Sequence, residues 1–354
     1  LRVPATLTGV LQARLDRLPE LERLTLQQAA VVGDEFWDSA VQQINDAARN
    51  PFEREQIAAA LQALERRDMI HRTPSPGFGG SQAYLFKHAV LREVAYESVL
   101  LRDRPGYHLQ AARWLEAQSG ERLAEYAAPI AQHQERAGQP AQAAQLYEVA
   151  ARRAAEQYKP ASAIDYYRKA LELLNNLPQF LDLRLNVQER LGRVLQQRGR
   201  LVEALYTYHA MQRIAELDGN LQGQARAQYA LAAVLRELGD DESALTAAGR
   251  AEQLARLSGG DIEWARALRL RAEAAAQLGR GDDAPPAAAA AGGRARPPDA
   301  SRAPARALAL RATLDPAEAG AATVELAALA AAREERGAAG EAAEAWTWLG
   351  EAHL

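Results

Sequence analysis

Three glycines recur at equal spacing in the middle of the chain. Gly199, Gly239 and Gly279 each follow a stretch of helix-favouring residues, and neighbouring members of the series lie 40 residues apart. Glycine is common just after a helix because it adopts left-handed backbone angles without strain. A fixed period of this length is the signature of a stacked repeat, so the spacing predicts an array of helix pairs.

The residues that flank these glycines repeat as well. Leu191 and Gly192 precede the first turn, and small or aromatic residues follow it at offsets of 5, 9 and 12. The offset positions are Ala204, Tyr208 and Met211 after Gly199, Ala244, Ala248 and Ala251 after Gly239, and Ala143, Tyr147 and Ala150 after Gly138. Two helices cannot bury their apolar stripes alone, so small residues at the crossings predict stacked pairs that enclose a groove.

These offsets resemble the tetratricopeptide repeat. A further helix after Pro160 carries Ala163, Tyr167 and Ala170, and Trp346, Leu349, Gly350 and His353 resemble the family's first-helix pattern, with His in the last place. The family's period is about 34 residues, and the longer period here fits helices extended by about a turn and a half. The resemblance implies an α-solenoid over residues 121–280 whose groove binds a protein partner or peptide. A plain helical bundle with Ala-rich seams is the alternative.

The repeat pattern breaks at residues 281–306. Five prolines, Pro285, Pro286, Pro297, Pro298 and Pro304, occupy a stretch where the second helix of a repeat should lie. An interior proline costs a helix about 3 kcal/mol. We expect a disordered Pro/Ala/Gly-rich linker there, followed by a truncated repeat remnant at 307–354; a local reading-frame error is the alternative explanation.

The segment before the repeats, residues 1–120, predicts several short helices and a hairpin. Helices are expected over Pro4–Leu18, Glu20–Val32, Trp37–Ile44 and Arg54–Arg67. A two-stranded hairpin is expected from Met69–Thr73 and Tyr84–Phe86, joined by a Pro/Gly-rich turn. Helices followed by a hairpin suggest a winged-helix-like module, and the whole chain is predicted to be all-α apart from that hairpin.

The charge of this module argues against a DNA-binding role. Arg54, Arg66 and Arg67 on the predicted recognition helix are offset by the neighbouring carboxylates Glu53, Glu55, Glu65 and Asp68. Phosphate contacts supply most of the affinity of DNA-binding domains. The formal net charge of the chain is −4, so a nucleic acid partner is not expected.

Longer stretches of the N-terminal module carry a second resemblance. Val3–Leu7, Leu15–Pro19, Ala29–Gly33 before Phe36 and Trp37, and above all Phe86–Ser98 resemble the region that follows the ATPase core in AAA-related signal-transduction ATPases. That group includes bacterial adenylate/guanylate cyclase fusions and large transcriptional regulators. The resemblance, which spans roughly Leu1 to Arg280, implies a regulatory segment next to an upstream ATPase domain of the same chain.

The sequence itself lacks a nucleotide-binding loop. No G-x-x-x-x-G-K-[ST] occurs, and none of the three lysines, Lys87, Lys159 and Lys169, follows a glycine loop. The chain begins with Leu1 and stops within an apparent helix, so we expect a fragment that requires no cofactor, with ATP or ADP bound by the parent. In the related ATPases a winged-helix histidine can reach the nucleotide phosphates, and the resemblance assigns that role to His88; capping or packing at a helix start is the alternative.

No constellation of catalytic or metal-binding residues is apparent. The six histidines show no H-E-x-x-H spacing and are expected at the surface or at helix caps, and Cys is absent. No nucleophile elbow occurs either. The chain is predicted to be non-catalytic. Without a long apolar run or a signal segment, it is expected to be cytoplasmic and not bound to a membrane.

Three functions remain open from the sequence. The first is a regulatory, protein-binding segment of a signalling ATPase; the second is a transcription regulator that contacts DNA; the third is the regulatory part of a cyclase fusion. Tyr167, Tyr206, Tyr208 and Tyr229 are the candidate partner-binding residues, because aromatic side chains often anchor ligands in repeat grooves. Tyr167 and Tyr208 also occupy the repeat's packing position, so core packing is the alternative role for those two.

Overall fold

The computed structural model describes residues 5–48, 51–74 and 78–278. The chain divides into two compact units between Leu181 and Asp182. The boundary predicted between residues 120 and 121, from the winged-helix-like module to the repeats, is a different division and stays a prediction. The predicted linker at 281–306, the remnant at 307–354 and Gly279 lie outside the described residues.

The first unit opens with helices interleaved with a small sheet. The helices are α1 (Ala5–Asp16), α2 (Glu20–Val32), α3 (Asp38–Asp46), α4 (Arg54–Arg66) and α5 (Ala89–Glu97), and the strands are β1 (Glu35–Trp37), β2 (Ile70–Arg72) and β3 (Ala83–Phe86). The sheet is antiparallel with the order β1-β3-β2, and Phe36 pairs with Tyr84. This order of helices and strands is that of a winged-helix-like module.

Strand β1 was not predicted from the sequence. The helix predicted from about Trp37 begins one residue later, at Asp38, because Trp37 ends β1. Three residues are too few for an alternation pattern to show. The strand is fixed by tertiary packing instead, since the ring of Phe36 stacks on Tyr84 at 5.6 Å and lies 5.4 Å from Phe86.

Local sequence accounts for the ends of the helices in this module. Helix α2 follows Pro19, whose fixed φ suits the start of a helix. Helix α4 begins with a capping box, in which the Gln56 side chain accepts a hydrogen bond from the Glu53 N–H at 2.8 Å. The core beneath the sheet is formed by fully buried apolar side chains, among them Leu15, Leu26, Ile44, Leu61 and Leu64.

Four longer helices complete the first unit. They are α6 (Arg104–Ser119), α7 (Leu123–Arg136), α8 (Pro140–Glu156) and α9 (Pro160–Leu174), and each packs against the next. Helix α6 also packs on the winged-helix-like module through Trp114, whose ring stacks on Trp37 at 5.2 Å. Its indole N–H donates to the Ser39 hydroxyl at 3.2 Å.

The second unit is a regular array of antiparallel helices. They are α10 (Leu181–Gln197), α11 (Leu201–Leu217), α12 (Leu221–Glu237), α13 (Asp241–Ser258) and α14 (Asp261–Gln277). From α11 onwards each helix begins 20 residues after the one before it, so one 40-residue period is a pair of helices. The described part of the chain is therefore a mostly helical, tetratricopeptide-like solenoid preceded by a winged-helix-like module.

Glycines close the turns of this array. Gly199, Gly219, Gly239 and Gly259 all have positive φ, between 68° and 80°. The residue after the glycine donates its N–H back to the preceding helix, as Asn220 does to the Ala215 carbonyl at 2.8 Å. Glycines therefore recur every 20 residues, once after each helix, and the 40-residue spacing seen in the sequence picks out every second one. Gly219 and Gly259 were not predicted from the sequence.

Candidate partner-binding groove

A groove lies across the first helix of each pair in the second unit. It is lined by α10, α12 and α14, together with Tyr208 from α11, and has a volume of about 430 Å³. The lining residues are Glu189, Arg193, Gln196, Tyr208, Arg226, Tyr229, Ala230, Ala233, Glu263 and Arg266. Residues 40 apart occupy equivalent places on α10, α12 and α14, so the lining residues Arg226 and Arg266 are equivalent. Asn186 holds that place on α10 and accepts from Arg226.

Arginines outnumber the carboxylates with which they pair in this groove. Glu189 accepts hydrogen bonds from Arg193, 2.9 Å away on the same helix, and from Arg226 on α12, whose Nε lies 2.8 Å from the carboxylate. Arg226 also donates to the Asn186 side chain at 2.7 Å. These contacts hold Arg226 across two helices, so its guanidinium is in place before any partner arrives.

A second shared carboxylate joins α12 and α14 outside the groove lining, with the positions of acid and base exchanged. Glu273 on α14 accepts from Arg269, at 2.9 Å on the same helix, and pairs with Arg236 on α12. Each carboxylate is thus shared by two arginines, one from its own helix and one from a neighbouring first helix. Sequence reasoning missed this set, although Glu189 and Arg226, like Arg236 and Glu273, are separated by 37 residues, close to one period.

Two of the predicted tyrosines lie at the groove. Tyr208 is buried and contacts Gly192 so closely that a Cβ on that glycine would lie 2.4 Å from the Tyr208 Cε1 atom. Burial raises the pKa of Tyr208, and Arg193 opposes that rise. Tyr229 is half-buried and forms part of the groove wall. Tyr229 is therefore the predicted tyrosine that can present its ring to a ligand here.

The other two predicted tyrosines lie elsewhere. Tyr206 is 73% exposed on α11 and does not line the groove. Tyr167 belongs to the first unit and is buried on α9, in the packing position that its offset indicated. The structure therefore brings together Tyr208 and Tyr229 only, and burial gives Tyr167 and Tyr208 a packing role.

His88 lies in the first unit, at the N-terminal boundary of α5. It is exposed, it has an extended backbone with φ of −141°, and its side chain does not cap the helix. Next to it, Lys87 forms an ion pair with Asp68 at 3.1 Å. The ring of His88 is thus accessible to a ligand, whereas capping, the alternative role, is not seen.

Two other histidines were wrongly expected at the surface or at helix caps. His108 on α6 and His133 on α7 are only 1% and 6% exposed, and their Nδ1 atoms are 2.9 Å apart. The hydroxyl of Tyr96 lies 2.9 Å from His108 Nε2. The position of His108, one helical turn before the buried Ala111 and Ala112, was the available sequence signal.

The exposed face of the winged-helix-like module carries paired charges. Arg67 pairs with Glu22 at 2.7 Å, and Arg72 pairs with Glu65 at 3.1 Å. Pairing reduces the positive potential that a recognition helix and wing would offer to phosphates. Within residues 5–48, 51–74 and 78–278, no group of three or more metal-ligating side chains occurs. No helix in the described part of the chain is long and apolar enough to cross a membrane.

Comparisons with known proteins found similar chains among solved structures. No protein-family model matches the sequence, and no curated protein matches it. Among solved structures, aspartyl phosphate phosphatase F from Bacillus subtilis is 12% identical with a TM-score of 0.45, covering 100% of this chain and 96% of its own. A signal transduction ATPase with numerous domains from Pyrococcus horikoshii, with a tetratricopeptide repeat sensor, is 14% identical with a TM-score of 0.42; the match covers 100% of this chain and 65% of that one. BtubC from P. vanneervenii is 20% identical, with a TM-score of 0.40 over 69% of this chain and 90% of that one.

Proposed function

We propose that the chain is a non-catalytic regulatory segment that binds a protein partner in the groove of its second unit. The observation that carries the proposal is that Arg193, Arg226 and Arg266 line the groove from α10, α12 and α14 beside the half-buried ring of Tyr229. Arginine and tyrosine are the side chains that most often dominate protein–protein binding energy. Rigid helices fix them before binding, which reduces the entropic cost of association.

The chemistry of the groove suits recognition rather than turnover. Its carboxylate Glu189 accepts hydrogen bonds from both Arg193 and Arg226. Apart from the charged residues, its lining consists of alanines, a glutamine and tyrosines. We therefore assign the groove a binding role and no catalytic residue.

Selection of peptides from a random phage-displayed library against the 354-residue chain tests the binding role. The selected peptides are then measured against Ala233→Trp, which places a large ring in the groove. Arg213→Trp is the matched control, because Arg213 is exposed on α11 and does not line the groove. We expect Ala233→Trp to abolish binding and Arg213→Trp to preserve it. Peptides that bind both variants equally, or a selection that yields none, would overturn the proposal.

We further propose that this segment regulates an ATPase domain of the same parent chain. The support is the sequence resemblance over Phe86–Ser98, together with the exposure of His88 at the start of α5. ATP and ADP affinities measured for this chain, and for a longer one that includes the upstream domain, test the idea. We expect binding by the longer chain only, weakened by His88→Ala; unchanged affinity in that variant would remove His88 from nucleotide sensing.

A further inference from the structure

The groove also indicates which kind of partner segment it takes. Resting on the proposed function, we infer that its occupant is an acidic protein segment with one apolar anchor residue. Two features carry this inference independently: the unequal number of arginines and carboxylates along the groove, and a depression that two alanines form in its middle.

The first feature is a local excess of positive charge. The groove is lined by three arginines, Arg193, Arg226 and Arg266, and by two carboxylates, Glu189 and Glu263. Arg193 and Arg226 both donate to Glu189. This surplus occurs in a chain whose formal net charge is −4, so it is a property of the groove and not of the whole surface.

The arginines that share Glu189 can still donate hydrogen bonds to a ligand. Arginines that share a carboxylate retain unused N–H donors, because a guanidinium has five donors in a planar fork. The side chains of Arg193 and Arg226 keep 60% and 26% of their surface exposed. A carboxylate of the partner can therefore accept from these forks without breaking the contacts to Glu189.

The second feature is a notch on α12. Ala233 occupies the place that Arg193 has on α10 and Glu273 has on α14, and Ala230 lies one turn before it. The equivalent side chains on α10 and α14 are long. Helix α12 instead presents the methyl groups of its two alanines, bordered by the rings of Tyr208 and Tyr229. A single apolar side chain fits such a depression, and a buried anchor surrounded by polar contacts is the usual form of a binding hot spot.

A continuous nucleic acid backbone fits this surface less well than a peptide. Glu189 and Glu263 lie among the arginines, and each would repel a phosphate that passed over it. The spacing of acidic residues along a peptide, by contrast, can follow the arginines and avoid the carboxylates. The notch adds a requirement for an apolar side chain, which a sugar–phosphate chain does not supply.

Fluorescence anisotropy with short synthetic peptides on the full chain tests the inference. The first probe is an Asp/Glu-rich peptide with one central leucine; the second replaces leucine with serine, and the third replaces the acidic residues with lysine. We expect the first peptide to bind at least about tenfold more tightly than either of the others at low salt. Added salt should weaken its binding, because the arginines are exposed.

Variants locate the effect within the groove. Arg193→Glu and Arg266→Glu should each weaken the first peptide about tenfold, and Ala233→Leu should weaken it by blocking the notch. Arg213→Glu is the charge-matched control on α11 and should change binding less than twofold. Equal binding of the leucine and serine peptides, or of the acidic and basic ones, would overturn the inference.

The result separates this inference from the proposed function. Library peptides of another composition that are still blocked by Ala233→Trp would leave a binding groove and overturn the acidic partner. Preferential binding of a single-stranded oligonucleotide over the acidic peptide, weakened by Arg193→Glu, would overturn it in favour of nucleic acid. Acidic peptides that bind while the Ala233 variants have no effect would place binding outside this groove and overturn both.

Discussion

The Nδ1 atoms of His108 and His133 lie 2.9 Å apart in the interior of the first unit. One of these two nitrogens must donate and the other accept, and the ring that accepts through Nδ1 is neutral. The hydroxyl of Tyr96 lies 2.9 Å from His108 Nε2.

These contacts join α5, α6 and α7. Burial lowers the pKa of His108 to about 3 and that of His133 to about 4, from an ordinary value of 6.5. Positive charges contribute as well, since the guanidiniums of Arg92, Arg104 and Arg136 lie within 6 Å of the Tyr96 ring centroid. Asp34 lies 3.7 Å from Arg92.

The first prediction is that acid destabilises this unit through the two histidines. Between about pH 6.5 and pH 4 the unfolded chain binds protons that the folded chain excludes, so the free energy of unfolding falls as the pH falls. Each histidine should contribute about 1 kcal/mol per pH unit across that window. Urea unfolding followed by circular dichroism at several pH values gives the slope.

His133→Gln and the exposed His209→Gln make a matched pair for this measurement. Removing the buried ring should lower the number of protons that the chain takes up on unfolding by about one. The free energy of unfolding should then depend less steeply on pH, even where the variant is less stable at pH 7. Removing the exposed ring should leave the slope as it is in the wild type. An unchanged slope in His133→Gln would show that the buried pair does not control acid stability.

Elements whose pattern extends over many residues could be predicted from the sequence. Helix α2 was predicted at its observed ends, and the glycine spacing predicted the paired helices of the second unit. These features depend on local backbone preferences and on the period of the apolar face, which a sequence displays directly. Short elements such as β1 leave no such pattern and depend on partners distant in sequence.

The groove illustrates the same limit. Tyr229 was predicted because tyrosine is a common anchor, but its neighbours Arg226 and Ala233 were not singled out. Their significance lies in comparison across helices, because Ala233 is a notch only where its equivalents, Arg193 and Glu273, are long. The buried histidine pair was missed for a related reason, since 25 residues separate His108 from His133 and only packing brings them together.

The second prediction concerns the close approach of Gly192 to Tyr208. A Cβ at residue 192 would lie 2.4 Å from Cε1 and 2.5 Å from Cζ of the tyrosine ring. Gly192→Ala should therefore force the buried ring to move and destabilise the chain by about 1 to 3 kcal/mol, despite the better helix propensity of alanine. Urea unfolding of the variant and the wild type measures the difference.

Gly249→Ala is the matched control for that substitution. Gly249 lies within α13, and a Cβ there would meet nothing within 4 Å. This change should stabilise the chain by about 0.5 to 1 kcal/mol, because alanine is the better residue in a helix interior. Equal effects of the two substitutions would mean that the Tyr208 ring does not restrict residue 192.

The third prediction concerns a turn that lacks its glycine. Between α8 and α9, Tyr158 has a φ of 56°, and the N–H of Lys159 donates to the Ala154 carbonyl at 2.8 Å. The same turn geometry is formed at Gly138, where φ is 74°. Left-handed angles strain a residue with a Cβ, and at 93% exposure the tyrosine ring provides little packing in return.

Tyr158→Gly should therefore stabilise the first unit, by about 0.5 to 1 kcal/mol after allowance for the greater freedom of glycine in the unfolded chain. The reverse change, Gly138→Ala, should destabilise it by about 1 kcal/mol, because it introduces the strain that glycine avoids. Thermal unfolding of the two variants beside the wild type measures both shifts. If Tyr158→Gly lowers the stability instead, the exposed ring stabilises the fold by more than the left-handed backbone angle destabilises it.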